Sequence, residues 1–273
     1  MPLINIFSIA WSDETFRVAS ESGYQVLDNR SNDRPDWYEL WPIRKYFIDN
    51  GLKKNEYYGF FSTKFKNKTG LNSKEVFDFV NNAINLNADV ITFSPQPDQS
   101  AAFINVFEHA NFYFPGFKEM ASEFLETLQI KVDLNTLIMD SRTTVFSNYF
   151  VANSDFWNHW LTINEQLFQT AENSTTSLGK ELNVSTNYGN GVQKKVFLQE
   201  EVASLLLTLY SENYKCVPAN LWKMGWGQMG FENFKYEMII SDALKMAMRD
   251  TSFNEYLEAY NLIREKLKRE FKL

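Results

Sequence analysis

The sequence predicts an α/β domain with helical additions toward its carboxyl end, on three observations. Short apolar and aromatic runs alternate with helical periodicities through most of the chain. The early runs lead directly into polar, turn-forming segments, the position at which open α/β sheets bind ligands. The final stretch, Phe253 to Leu273, is a charged amphipathic helix. We therefore expect one domain over residues 1–273, with an α/β core over about 1–210 and a helical extension over about 211–273.

Leu3 to Ala10 reads as a strand, Ser12 to Ser22 as a helix capped by Ser12, and Gly23 to Leu27 as a second strand. That compact βαβ opening runs into the polar loop Asp28 to Asp36. Trp37 to Asn50 reads as a helix closed by Asn50-Gly51. Tyr57 to Ser62 is a strand, and Ser73 caps a helix through Asn82. Asp89 to Phe93 is a buried strand ending in Ser94-Pro95-Gln96-Pro97-Asp98. Gln99 to Ala110 and Phe117 to Gln129 read as helices parted by Pro115-Gly116. Beyond them we expect a strand over Phe146 to Ala152, a Trp-rich helix over Asp155 to Gln169 and a long polar loop over Asn173 to Gln193. A helix over Val196 to Tyr210 follows, and then a segment from Trp222 to Gly230 rich in Trp, Met and Gly.

Composition narrows the function. A net charge of -7 opposes nucleic acid, whose phosphates demand a basic face. One cysteine and two histidines leave no disulfide, Cys-zinc or multi-histidine centre. The opening residues lack a basic region followed by a long apolar stretch, and no run approaches a membrane span, so a reducing cytoplasm is the expected location. Aromatics reach 16%, enough to furnish both a core and rings that stack on sugars or bases.

Three groups carry candidate chemistry. The densest interleaves carboxylates, guanidinium groups and indoles: Asp28, Asn29 and Arg30, with Asp33, Arg34, Asp36, Trp37, Glu39, Trp41 and Arg44. A sugar nucleotide needs such types, amides and carboxylates for hydroxyls and cations for a diphosphate. A solvated loop whose charges pair locally is the competing reading. The second group is Tyr57-Tyr58-Gly59-Phe60-Phe61-Ser62 with Lys64 and Lys68, where Gly59 signals a close approach and the lysines can hold phosphates. The third is the turn around Gln96 and Asp98. Glu200 and Glu201 open a helix, and one of them is a candidate to point into a cleft. No DxD pair, nucleophile elbow, P-loop, G-x-G-x-x-G or H-E-x-x-H is present.

At these residues the chain resembles glycosyltransferases encoded in bacterial O-antigen and capsule gene clusters. The likeness runs through Asp28-Asn29, Trp37-Tyr38-Glu39-Leu40-Trp41-Pro42-Ile43-Arg44, the Tyr57–Ser62 run, Phe146 to Val151 and Val196 to Leu205. In that last helix Glu201 stands where the family usually has Arg, so that role is not carried over. The resemblance implies a GT-A-like, Rossmann-type mixed sheet flanked by helices, with the nucleotide over the carboxyl ends of the first strands. It implies a nucleotide-sugar donor held by Asp28, Asn29, Arg30, Arg44, Tyr58, Gly59, Lys64 and Gln96. Asp98 or Glu200 would be the base, and a glycan or lipid-linked glycan the acceptor. The cofactor implied is Mg²⁺ or Mn²⁺, but without DxD the side-chain cations would neutralise the diphosphate instead. For a lipid-linked acceptor, the basic residues Arg264, Lys266, Lys268, Arg269 and Lys272 offer a peripheral membrane contact at the inner face. The rivals are a non-catalytic carbohydrate-binding or scaffold protein, and a glycoside hydrolase with carboxylates across a cleft.

Overall fold

The computed structural model describes residues 2–94, 96–225 and 231–271. Pro95, the 226–230 part of the Trp- and Met-rich segment, and Lys272 lie outside the described residues.

In chain order the elements begin with β1 (Leu3–Ala10), α1 (Asp13–Ser20) and β2 (Gln25–Asp28). A 3-10 turn over Pro35–Trp37 leads into α2 (Leu40–Asn50). Then come β3 (Glu56–Ser62), α3 (Phe65–Thr69), α4 (Ser73–Asn85), β4 (Val90–Thr92) and the helices α5 (Pro97–Ala101), α6 (Val106–Tyr113) and α7 (Phe117–Thr127). The remainder is β5 (Phe150–Asn153), α8 (Ser154–Glu172), α9 (Ser177–Leu182), α10 (Lys194–Leu209), β6 (Cys216–Pro218), α11 (Lys235–Thr251) and α12 (Asn254–Phe271). Six strands form one mixed sheet in the order β2-β1-β3-β5-β4-β6. All pairings are parallel except those of β5, which runs antiparallel to both β3 and β4.

Alternation along the strands divides the core. Phe7, Ile9, Tyr58, Phe60, Phe150 and Ala152 face the layer that includes α8 and α10. Ile6, Phe61, Ile91 and Val151 face α3 and α4, where Phe61 stacks on Phe65 at 4.1 Å. Trp157 of α8 is buried, and its indole N–H donates to the Tyr58 carbonyl at 2.8 Å, tying helix to sheet. Both faces are covered, as a largely parallel sheet requires.

Local chemistry moves several expected boundaries. Asn72, not Ser73, caps α4: its side chain accepts from the Glu75 amide at 3.0 Å while Glu75 accepts from the Asn72 amide at 2.8 Å. The expected Gln99–Ala110 helix divides at Asn105, whose side chain caps α6 and also donates to the Leu134 and Leu137 carbonyls. Ser147 and Asn148 take φ of 62° and 52°, so β5 starts only at Phe150. The polar loop over 173–193 contains α9 and a bridge between Ser185 and Gln193. Past residue 210 the sheet gains its edge strand β6, and α11 is a helix the periodicity reading missed.

The helical hairpin α11–α12 docks on the 97–105 segment. Lys245 is buried and donates to the Ser100 carbonyl at 2.6 Å, and also to that of Phe103. The buried Asp140 accepts from Arg142 and Arg249 at 2.7 and 3.1 Å. Arg264 pairs with Glu108 of α6 and Lys266 with Glu237 of α11, so two of the basic residues of α12 are engaged in holding that helix in place. No helix among the described residues is long and apolar enough to cross a membrane.

Gly59 shows how closely the sheet packs. A β-carbon there would lie 2.7 Å from Val151 Cγ2 and 3.2 Å from the Phe150 carbonyl. Both obstacles belong to the neighbouring buried strand, so Gly59→Ala should cost about 1–3 kcal/mol as overpacking. Denaturant unfolding checks this; an unchanged midpoint would contradict the packing described.

Candidate functional site

The site follows from the sheet's connectivity. The chain leaves the carboxyl end of β1 toward β2 on one side and leaves the neighbouring β3 toward β4 on the other, so the connections from these two adjacent strands diverge. Such a reversal opens a crevice outside the carboxyl ends of the strands. A cleft of about 370 Å³ occupies that place. Ile9, Trp11, Asn29, Ser62 and Lys64 enter it from the ends of β1, β2 and β3. Because β5 is antiparallel, its leading loop lies at the same edge and contributes Ser147 and Asn148. Opposite elements add Tyr38 and Glu39 from the turn before α2, Lys68 from α3, and Val196, Phe197 and Glu200 from the first turns of α10.

Its electrostatics are those of two carboxylates sharing a recess with two ammonium groups. Burial pushes the Glu200 carboxyl up to about 7; the Glu39 charge adds to this and Lys68 opposes it. Burial likewise raises Glu39, against its own backbone amide, Lys68 and Lys64. Lys68 is fixed by donating to Ser147 Oγ at 2.8 Å, with its ammonium 5.6 Å from the Tyr149 ring centroid. The Tyr149 and Ser62 hydroxyls share a 2.6 Å hydrogen bond beneath it. Glu201, the next residue on α10, is buried and raised well above the ordinary range by burial and by Glu200. A carboxylate that titrates near neutrality can accept a proton from a hydroxyl, and two lysines can accept an anionic leaving group.

The turn that presents Tyr38 and Glu39 is held from behind. Lys195, with its side chain 2% exposed, donates to Asp36 Oδ2 at 2.7 Å and Asn183 Oδ1 at 2.9 Å. Its ammonium also lies 4.3 Å from the ring centroid of buried Trp37. The Trp37 indole donates to Glu172 at 3.0 Å, and Arg34 bridges Asp36 and Glu172 at 3.0 and 2.6 Å. Held this way, Tyr38 has φ 48° and ψ -126°, a backbone conformation that costs an L-residue about 1–3 kcal/mol. Asp36→Ala strips the buried Lys195 of its counter-charge and should cost about 3 kcal/mol. Urea unfolding measures it, and a loss below about 1 kcal/mol would show the ammonium stabilised by other groups.

The sequence-derived residues divide on inspection. Asn29, Lys64 and Glu200 line the cleft. Asp28 and Arg30 do not: Arg30 chelates Asp28 at 3.0 and 2.8 Å, pairs with Asp13 at 2.9 Å and covers Phe16, a local cluster at the start of α1. The Arg30 bond holds the Asp28 carboxyl below its usual range. Arg44 clamps α2 to α8 through Glu165 at 2.6 and 3.0 Å and lies over Phe168 at 4.4 Å. Tyr58 is a core residue whose hydroxyl donates to Glu56 at 2.8 Å, and Gly59 answers to Val151. Gln96 adopts φ 63° ahead of α5 and donates its amide to the Gly225 carbonyl at 2.9 Å. Asp98 is fully buried in α5 and is not among the residues that line the cleft. Asp28 and Gln96 thus do not share one recess.

Tyr38, Tyr188 and Asn148 were not singled out from the sequence, because their exposure to the cleft depends on positive-φ turns and on the 185–193 bridge. Glu39 and Lys68 belong to the first and second sequence groups and line the cleft, yet nothing in their spacing marks them above their neighbours. Glu39 and Glu200 are only two carboxylates, and the ammonium groups of Lys64 and Lys68 beside them suit an anionic diphosphate and oppose a divalent cation such as Mg²⁺ or Mn²⁺. In comparisons with known proteins the chain matched no family model, and no curated protein or solved structure resembled it at a significant level.

Proposed function

We propose that the protein is a nucleotide-sugar-dependent glycosyltransferase that extends a bacterial surface glycan of the O-antigen or capsule type. The observation that carries this reading is the cleft at the β1/β3 reversal point, where Lys64 and Lys68 face Glu39 and Glu200. Further support comes from the mixed sheet, with its single antiparallel strand, which is compatible with the GT-A type that the sequence resemblance implies.

In this reading Asn29 contacts the nucleoside and the two lysines hold the diphosphate. Ionised Glu200 takes the acceptor hydroxyl proton as that oxygen forms its bond to the anomeric carbon. The bond from that carbon to the diphosphate oxygen breaks, and the charge released there is met by Lys64 and Lys68. Such donors are supplied in the cytoplasm, so a lipid-linked acceptor would be met at the inner membrane face.

Incubating the protein with a panel of nucleotide sugars and oligosaccharides tests the proposal. Release of nucleoside diphosphate coupled to a lengthened glycan is the expected result. Sugar released from a glycan without nucleotide would instead make the Glu39–Glu200 pair a hydrolase's carboxylates. Glycan binding with neither reaction would favour the binding-module rival.

A further inference from the structure

The packing around Tyr38 enforces its backbone conformation but gives its ring no partner among the described residues. Its backbone lies in a region suited to glycine, with φ 48° and ψ -126°. Strain of this kind persists only where the surroundings enforce it, and it concentrates at ligand sites. Here the enforcement is visible in the buried Lys195–Asp36 pair and the Trp37–Glu172 bond immediately before it. What the strain achieves is to hold a tyrosine ring 46% exposed at the cleft. Among the described residues that ring meets no other ring and its hydroxyl has no hydrogen-bond partner.

The same cleft carries two more rings. Tyr188, on the loop closed by the Ser185–Gln193 bridge, is 63% exposed and meets Phe197 edge-on at 5.6 Å. Phe197 is anchored from below by Phe114 at 4.3 Å. These rings sit on the turn before α2, on the 185–193 loop and on α10, whereas Asn29 and Lys64 enter from the strand ends. Flat rings with open faces suit the C–H face of a sugar, and Glu200 lies one helical turn from Phe197 on α10.

We infer that Tyr38, with Tyr188 and Phe197, is the stacking platform for a sugar ring of the acceptor, placed so that an acceptor hydroxyl reaches Glu200. This rests on the transferase reading above. It assigns the acceptor a carbohydrate end, whether the glycan is free or lipid-linked.

Tyr38→Gly tests it, because glycine relieves the backbone while deleting the ring. The acceptor KM should rise at least tenfold with little change in donor KM, while the melting temperature holds or rises. A fall of more than about 3 °C would make the ring structural and overturn the inference. A rise in donor KM instead would put the nucleobase on Tyr38, with the same consequence. Two acceptors separate the sources: a free oligosaccharide and the same oligosaccharide on a long alkyl aglycone. A KM rise with both supports a sugar on the ring; a rise confined to the alkyl acceptor puts the lipid there and overturns it. Tyr236→Ala, at a 78% exposed tyrosine on α11, should leave both KM values unchanged. If the wild-type protein releases no nucleoside diphosphate from any donor, it is the transferase reading that fails. Oligosaccharide titration followed by intrinsic fluorescence then judges Tyr38 separately: equal affinity in wild type and variant would overturn the platform.

Discussion

Glu200→Gln is expected to lower glycosyl transfer by about 10²–10⁴-fold while the protein still binds its nucleotide donor. The substitution keeps the size of the side chain and removes its capacity to take a proton. The pH profile supplies the sharper signature. With its carboxyl pushed up to about 7, Glu200 is protonated below that value, so wild-type transfer should rise as pH increases through about 7. The residual activity of the variant should lack this limb. Stability has a matching sign. Because the folded carboxyl binds its proton more tightly than its ordinary value of 4.5, the folded state is favoured at low pH and loses that advantage as pH rises through about 7. The variant carries no charge to bury, so it should melt above wild type at pH 8 and lose that margin below about pH 4.5. A wild-type transfer rate that is flat between pH 5 and 9 would remove Glu200 from the role of base.

Replacing Lys64 and Lys68 together by alanine is the second large effect, expected to reduce transfer by about 10²–10³-fold through loss of leaving-group stabilisation. Lys68→Ala alone should also move the acidic limb of the profile upward. Lys68 opposes the rise in the Glu200 carboxyl, so removing its charge lets burial and Glu39 act unopposed. Freed of Lys68, Ser147 loses its donor, but the buried Ser62–Tyr149 bond does not depend on that ammonium. An unshifted limb in Lys68→Ala would show that the lysine and the carboxyl do not share the recess electrostatically.

The α/β class was legible because strands such as Leu3–Ala10 and Glu56–Ser62 are apolar runs bounded by turn formers, and a cap such as Ser12 announces its helix. Position after a strand drew Asn29 and Lys64 out of the sequence, and both line the cleft because the strand ends converge on it. Charge density did not discriminate as well. Asp28, Arg30 and Arg44 look like ligand-binding residues in one dimension, but each finds a partner, respectively Arg30, Asp28 with Asp13, and Glu165. Those pairings span up to 121 residues and cannot be read locally. Gly59 signalled a close approach, and the approaching group is Val151 of the neighbouring strand. In α10, Lys195, Gln199 and Glu201 are buried alongside the leucines, because the helix passes through the middle of the helical layer. Only that placement turns Glu200 toward the strand ends. The Tyr38 conformation is set by contacts with α8 and α10 that no sequence pattern announces.

The central claim is that the β1/β3 crevice binds a sugar nucleotide, and a crystal structure with a bound nucleoside diphosphate tests it most directly. The diphosphate should lie against Lys64 and Lys68, with the nucleoside beside Trp11 and Asn29 and Glu200 facing the open side of the terminal phosphate. A nucleotide lodged instead in the separate recess of about 360 Å³ bounded by Ser8, Tyr24 and Ser73, or no binding at millimolar nucleotide, would contradict it.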